Sequence, residues 1–250
     1  MFANVHSTGI AGGSVPCPFL TKGSRYDNYS VLPVIDALAP FFPYGGMQKG
    51  AFIEVLSSIA GNGACTLAIS LLAAASSQGA WCAIAGLTDL GLLATCELGV
   101  DLNRMVMVSP PTSSRAPASP FPPAEFWQAT ATLLKGIDIV LLNLSLQDTY
   151  LQRYMYTIQR LAAIARKYNS ICIVLVSGMG TLLQGQAVRN IGASVIMEVV
   201  SSKWLGPSGG FGRLHSRVAL VESTGRGAAA RPVRRTLYLP GSDGKVATAG

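Results

Sequence analysis

Short, unbroken apolar runs alternate with longer stretches in which apolar residues recur every three or four positions, from about residue 51 to residue 177. The unbroken runs predict strands at 51–56, 80–85, 105–108, 137–142 and 171–177, and the periodic stretches predict helices over 66–77, 90–98, 124–135 and 151–168. Strands that carry no polar alternation are covered on both faces, as in a parallel sheet layered between helices. Right-handed crossovers then give a three-layer α/β domain. After Gly178 the pattern changes. Strands at 195–202, 217–222 and 236–239 are separated by glycine-rich turns, which predicts an antiparallel extension of the same sheet rather than a second domain.

The flanks are different in kind. Residues 1–30 are rich in Gly, Ser and Pro without periodicity and read as a flexible N-terminal arm. The folded domain is expected to span 31–240, with 241–250 a flexible tail. Residues 31–42 (VLPVIDALAPFF) read as a short helix or an extended segment docked on the core, and the six prolines between 110 and 123 mark an irregular surface connection. No repeat of 20–50 residues is visible.

Composition narrows the class. Half of the 250 residues are apolar and 12% are charged, so the main body is a globular core rather than a disordered binder. A chain of this size buries roughly 70–75% of its unfolded surface and needs no disulfide or metal to hold it. No apolar run reaches the roughly 18–20 residues of a membrane span, and the first residues lack the pattern of a secretory signal. Five scattered cysteines (17, 65, 82, 96, 172), without C-x-x-C spacing, argue for reduced thiols and a cytoplasmic location. Two histidines, His6 and His215, in unrelated contexts give no zinc site. Of the net charge of +7, residues 201–250 carry +6: eight Lys/Arg against Glu222 and Asp243. A basic C-terminal fifth fits contact with nucleic acid or an acidic protein, or a solubilising edge strand and tail.

The stretch from Gly50 to Thr66 has the layout of a phosphate-binding loop: apolar strand, Gly-rich turn (Ser57-Ser-Ile-Ala-Gly-Asn-Gly-Ala-Cys-Thr), apolar helix. The pattern G-x-x-x-x-G-K-[ST] fails at its end, where Ala64 and Cys65 follow Gly63 in place of lysine and a hydroxyl residue. Two further segments are specific. Gly45-Gly-Met-Gln-Lys-Gly-Ala-Phe-Ile-Glu-Val resembles the entry into the ATPase core of the RecA recombinase family. Leu98-Gly-Val-Asp-Leu-Asn-Arg-Met-Val-Met-Val is similar to that family's approach to its third core strand. The resemblance covers about residues 45–200 and implies a RecA-like three-layer core with a mainly parallel sheet.

Three departures from the family fall on catalytic positions. The lysine on the β- and γ-phosphates and the hydroxyl on Mg²⁺ are replaced at Ala64 and Cys65. The water-activating glutamate corresponds to Leu87, and the metal-holding carboxylate to Asn143. Hydrogen bonds to charged groups are worth about 1.5–3 kcal/mol each, so losing three or four removes on the order of 5–10 kcal/mol. Micromolar binding needs only about 8 kcal/mol. The expectation is a degenerate ATPase site at Gly61, Gly63, Ala64, Cys65, Leu87 and Asn143, with no catalytic residue, cofactor or metal. The backbone amides at Gly61 and Gly63 keep the geometry to receive an anion, although a tight strand-to-helix turn explains both glycines. Asp89, Glu97 and Asp101 around one helix are expected to be solvated ends, with Asp89 as its N-cap. Trp81, Trp127 and Trp204 read as separate core or partner-facing anchors.

Two RecA relatives without ATPase activity fit. Gly63-Ala-Cys-Thr-Leu67, Gly79-Ala-Trp-Cys-Ala83, Ser202-Lys-Trp-Leu-Gly and Thr224-Gly-Arg-Gly-Ala-Ala-Ala-Arg-Pro look like the actinobacterial ImuA-type mutasome accessory proteins. That resemblance implies a non-catalytic role in translesion synthesis and damage-induced mutagenesis. Its expected partner is an inactive Y-family polymerase homologue and, through it, an error-prone replicative-type polymerase and the sliding clamp. Arg226, Arg231, Arg234 and Arg235 are expected to form a basic strip that touches DNA or an acidic partner, and self-association of the RecA kind stays open. The alternative is a SulA-type cell-division inhibitor that binds the tubulin-like division protein.

Overall fold

The computed structural model describes residues 31–57, 61–109, 124–145, 151–177, 192–206, 216–225, 232–241 and 243–249. The arm at 1–30 and the proline-rich connection at 110–123 lie outside the described residues. In chain order the elements are β1 (Val31–Pro33), β2 (Gly46–Gln48), β3 (Phe52–Ser57), α1 (Ala64–Ser77), β4 (Cys82–Ala85), α2 (Leu92–Glu97) and β5 (Met105–Val108). They continue with α3 (Ala124–Gly136), β6 (Ile139–Ser145), α4 (Leu151–Tyr168), β7 (Ile171–Ser177), β8 (Val195–Leu205), β9 (Ser216–Gly225), β10 (Val233–Tyr238) and β11 (Ala247–Thr248).

Nine strands form one sheet in the order β11-β10-β9-β8-β3-β7-β6-β4-β5. From β8 to β5 the neighbours run parallel. From β8 to β11 they run antiparallel. The expected α/β architecture with an antiparallel C-terminal extension is therefore the one observed.

The pleat of β3 explains the two cores. Ile53 and Val55 point to the α1 face, where they meet Leu67, Leu71 and Leu72, while Phe52 points to the face of α3 and α4 with Leu134, Ile158 and Leu161. All are buried. Helix α1 is rich in Ala and Leu, so most of its circumference is buried against the sheet and its neighbours. The extension belongs to the same α1-side core through Met197, Val199, Val221 and Leu237.

Several boundaries differ from expectation. α1 starts at Ala64, two residues early, because the turn at Gly63 hands over directly to the helix. Strand β8 runs to Leu205 rather than 202, since β9 continues to pair with it. The tail is not free: Ala247 and Thr248 pair with Tyr238 and Leu237, adding β11 to the sheet edge. Asp89 is exposed and does not cap α2, whose N-cap is Gly91 with no side-chain bond; Asp101 instead caps the 3-10 turn at Leu102–Arg104. No helix among the described residues is long and apolar enough to cross a membrane.

Candidate functional site

In open α/β sheets ligands sit beyond the carboxyl ends of the strands. Here that edge gathers the loop after β3, the turn after β4 and the end of β6. Strand β3 ends at Ser57, and the chain re-enters the described residues at Gly61 and turns into α1 at Gly63. Both glycines have positive φ, 75° and 104°, which an L side chain adopts only under strain. An added Cβ at Gly63 would also lie 3.0 Å from Nη1 of Arg217 and 3.6 Å from Cβ of Leu239.

Asn62, between the two glycines, is 6% exposed and holds the loop from within. Its Oδ1 accepts from the Ser57 hydroxyl at 3.0 Å and from the Ala64 N–H at 3.1 Å. Its Nδ2 donates to the Val199 carbonyl of β8 at 3.1 Å. The Ala64 amide, at the position of the phosphate-binding lysine, is thus already bonded within the chain. The Ala64 side chain, 2% exposed, packs in the α1-side core and does not face an opening. Cys65 reaches the surface, and partial burial of its thiol pushes its pKa above the ordinary cysteine value, so the protonated form dominates at neutral pH.

The other two vacated positions have structural partners. Leu87 is half-buried against the α1-side core. Asn143, half-buried on β6, donates from Nδ2 to the Gly86 carbonyl at 3.2 Å. Gly86, with φ 84°, donates in turn to the Val108 carbonyl at 2.9 Å. A Cβ at Gly86 would lie 2.8 Å from the Asn143 carbonyl oxygen, so glycine is required for the two strands to approach. At the position expected for a metal-holding carboxylate, an amide ties β4 to β6. Among the described residues no group of three His, Cys, Asp or Glu side chains is placed to hold a metal ion.

One cation does reach the loop, and it comes from the far side of the sequence. Arg217 opens β9, fixed at its backbone by Pro240 (its N–H to that carbonyl, 2.9 Å) and Leu239 (whose N–H meets the Arg217 carbonyl, 2.7 Å). Its guanidinium stacks on the indole of Trp204, 4.1 Å from the ring centre, and its Nη1 and Cδ close over Gly63. Nε is buried with no hydrogen-bond partner among the described residues, and burial pulls the pKa of the guanidinium below its ordinary range. Trp204 was expected as a core or partner-facing anchor, whereas Asn62 and Arg217 were not expected at the site. For Asn62 a signal existed, because Asn between glycines favours a side-chain-to-backbone turn. For Arg217 none did, since sheet register alone brings it to the loop.

Of the four arginines expected to form a basic strip, two fall on described residues. Arg226 and Arg231 lie outside the described residues. Arg234 and Arg235 are both exposed, but as neighbours on β10 they project to opposite faces. Arg235 lies opposite Val221 on the α1 face; Arg234 lies opposite Glu222, which in turn faces Glu198. Among the tryptophans, Trp81 and Trp127 are half-buried, and Trp204 is 41% exposed.

A mainly parallel sheet with a glycine loop between β3 and α1 and an antiparallel extension beyond β8 is a RecA-like fold. The crystal structure of the RadB recombinase superposes with a TM-score of 0.58, covering 86% of this chain and 97% of that one. At 14% identity the likeness concerns the fold alone. The chain belongs to the family described as MT3502 N-terminal domain, which matches residues 40–181, more than half its length. The uncharacterized protein Rv3395c of Mycobacterium tuberculosis (strain ATCC 25618 / H37Rv) is 27% identical over 165 residues, spanning 66% of this chain and 72% of that protein.

Proposed function

We propose that this RecA-like chain is a non-catalytic accessory protein of DNA repair, working by contact in damage-tolerant DNA synthesis. The observation that carries the reading is the loop: Asn62 bonds the Ala64 amide from inside, and Ala64 itself is sealed in the core. The replaced positions at Cys65, Leu87 and Asn143 support the same conclusion, since no side chain there neutralises a triphosphate or holds Mg²⁺. The partner consistent with the ImuA-type motifs is an inactive Y-family polymerase homologue, which would link the chain to an error-prone replicative-type polymerase and the sliding clamp.

The test has two independent parts. Titration of the purified chain with MgATP by calorimetry is expected to give no micromolar binding; a dissociation constant of about 10 μM or tighter would end the pseudo-ATPase reading. Size-exclusion chromatography with the purified polymerase homologue is expected to give a stoichiometric complex. Separate elution at micromolar concentrations of both proteins would remove the assigned partner.

A further inference from the structure

Strands β8 and β9 outgrow the rest of the sheet. β3 accompanies β8 only from Val195 to Val199, whereas β9 follows it to Leu205. A bulge between Val199 and Ser201 marks the point of departure. Burial alternates up to Val199 and then ceases: every residue from Val200 to Gly206 is exposed. Beyond the bulge, and among the described residues, β8 has a partner strand on one side only.

An open strand edge is a liability that proteins blunt with charge, proline or cover. Here the edge carries Val200, Trp204 and Leu205, all large apolar residues at the surface, and Lys203 is its only charge. The other exposed apolar pair, Leu92 and Leu93 on the six-residue α2, offers side chains but no strand edge to pair with. The ribbon is also one-signed. Residues 200–205 and 216–220 contain Lys203 and Arg217 and no Asp or Glu. Stacking of Arg217 holds the Trp204 ring in one orientation, so less side-chain freedom remains to be lost on binding.

We infer that this edge receives an extended, acidic segment of a partner protein, which adds as a strand beside β8. The inference rests on the reading of the chain as a contact protein and adds where, and to what chemistry, the contact is made. A strand edge calls for N–H and C=O groups in register, which a peptide supplies and a nucleic acid does not. Lys203 and Leu205 project from one face of the ribbon and Trp204, with Arg217 opposite it, from the other, so each face offers a cation to a carboxylate and an apolar group to an apolar side chain.

The probe is a fluorescein-labelled decapeptide of alternating Glu and Val, measured by anisotropy against the full chain. Binding is expected, with a blue shift of Trp204 emission and slowed amide exchange over 200–205. Lys203→Glu and Trp204→Ala are each expected to weaken it at least tenfold, and a peptide N-methylated at alternate residues to lose it. Lys203 is exposed, so its variant keeps the fold, and circular dichroism checks both. The inference is overturned if a folded chain does not bind the peptide at millimolar concentration, or if N-methylation or both substitutions leave binding unchanged. It is also overturned if a twenty-residue oligothymidylate, and not the peptide, protects the same amides, since the edge then serves nucleic acid. A stable complex with the polymerase homologue that survives Lys203→Glu and Trp204→Ala would remove this edge while leaving the accessory function in place.

Discussion

Replacing Asn62 by alanine removes three hydrogen bonds at once and leaves their partners buried. The Ser57 hydroxyl and the Ala64 amide lose their acceptor, and the Val199 carbonyl loses a donor. Each bond contributes about 0.5–1.5 kcal/mol net, toward the upper end where a buried group is left unpaired, so the change costs about 2–4 kcal/mol. For a domain of this size about 2–4 °C of Tm accompanies each kcal/mol, which gives a fall of roughly 5–15 °C. Differential scanning calorimetry reads the shift, and the midpoint in urea should fall in parallel at unchanged slope. Nucleotide distinguishes this from an ordinary weakened turn. At 100 times its dissociation constant a ligand raises stability by about 2.7 kcal/mol. If Asn62 has replaced nucleotide as the loop's fastening, 1 mM MgATP moves neither protein. A Tm change below about 1 °C in the variant would show that the loop does not depend on Asn62. A rise of several degrees with MgATP in either protein would show that the loop still binds nucleotide.

Three further outcomes follow from the same geometry. Gly63→Ala places a Cβ at a backbone φ of 104° and against Arg217; it should cost about 1–3 kcal/mol and alter Trp204 fluorescence as the guanidinium is displaced. Unchanged emission at lowered Tm would separate loop strain from the Arg217 contact. Asn143→Asp returns a carboxylate to the metal position but sets an oxygen against the Gly86 carbonyl 3.2 Å away. Its folded pKa should therefore rise above the ordinary value of about 3.9, making the variant less stable than wild type at pH 7 and bringing the two together as pH falls toward 4; equal Tm at pH 7 refutes this. In a Cys17→Ser background, thiol titration at pH 8 should find Cys65 and Cys96 in the native chain and all four remaining cysteines after denaturation. Burial pushes Cys172 up to about 12, so the unfolded thiol loses its proton first and this contribution to stability declines as pH rises from about 9 toward 12; a third reactive native thiol at pH 8 would contradict it.

The sequence by itself determined the layered core. Continuous apolar strands and 3.6-periodic helices are local signals, because burial of a strand on both faces or of a helix on one is written into neighbouring residues. They placed β5, β7 and α4 at their observed bounds and the other elements from β3 to β10 within a few residues, whereas β1, β2 and β11 were not read as strands. That no lysine follows Gly63 was legible too, since the loop is one contiguous segment. What holds the loop was not. Register between β8, β9 and β10 sets Arg217 on Trp204, brings it to Gly63 and ties Asn62 to Val199, the last two contacts joining residues more than a hundred positions apart. The same pairing extends β10 back to Val233, so that the pleat sets Arg234 and Arg235 on opposite faces, and carries β8 past the end of β3. Period-2 alternation tells which residues share a face, but only the tertiary pairing of strands decides what that face meets.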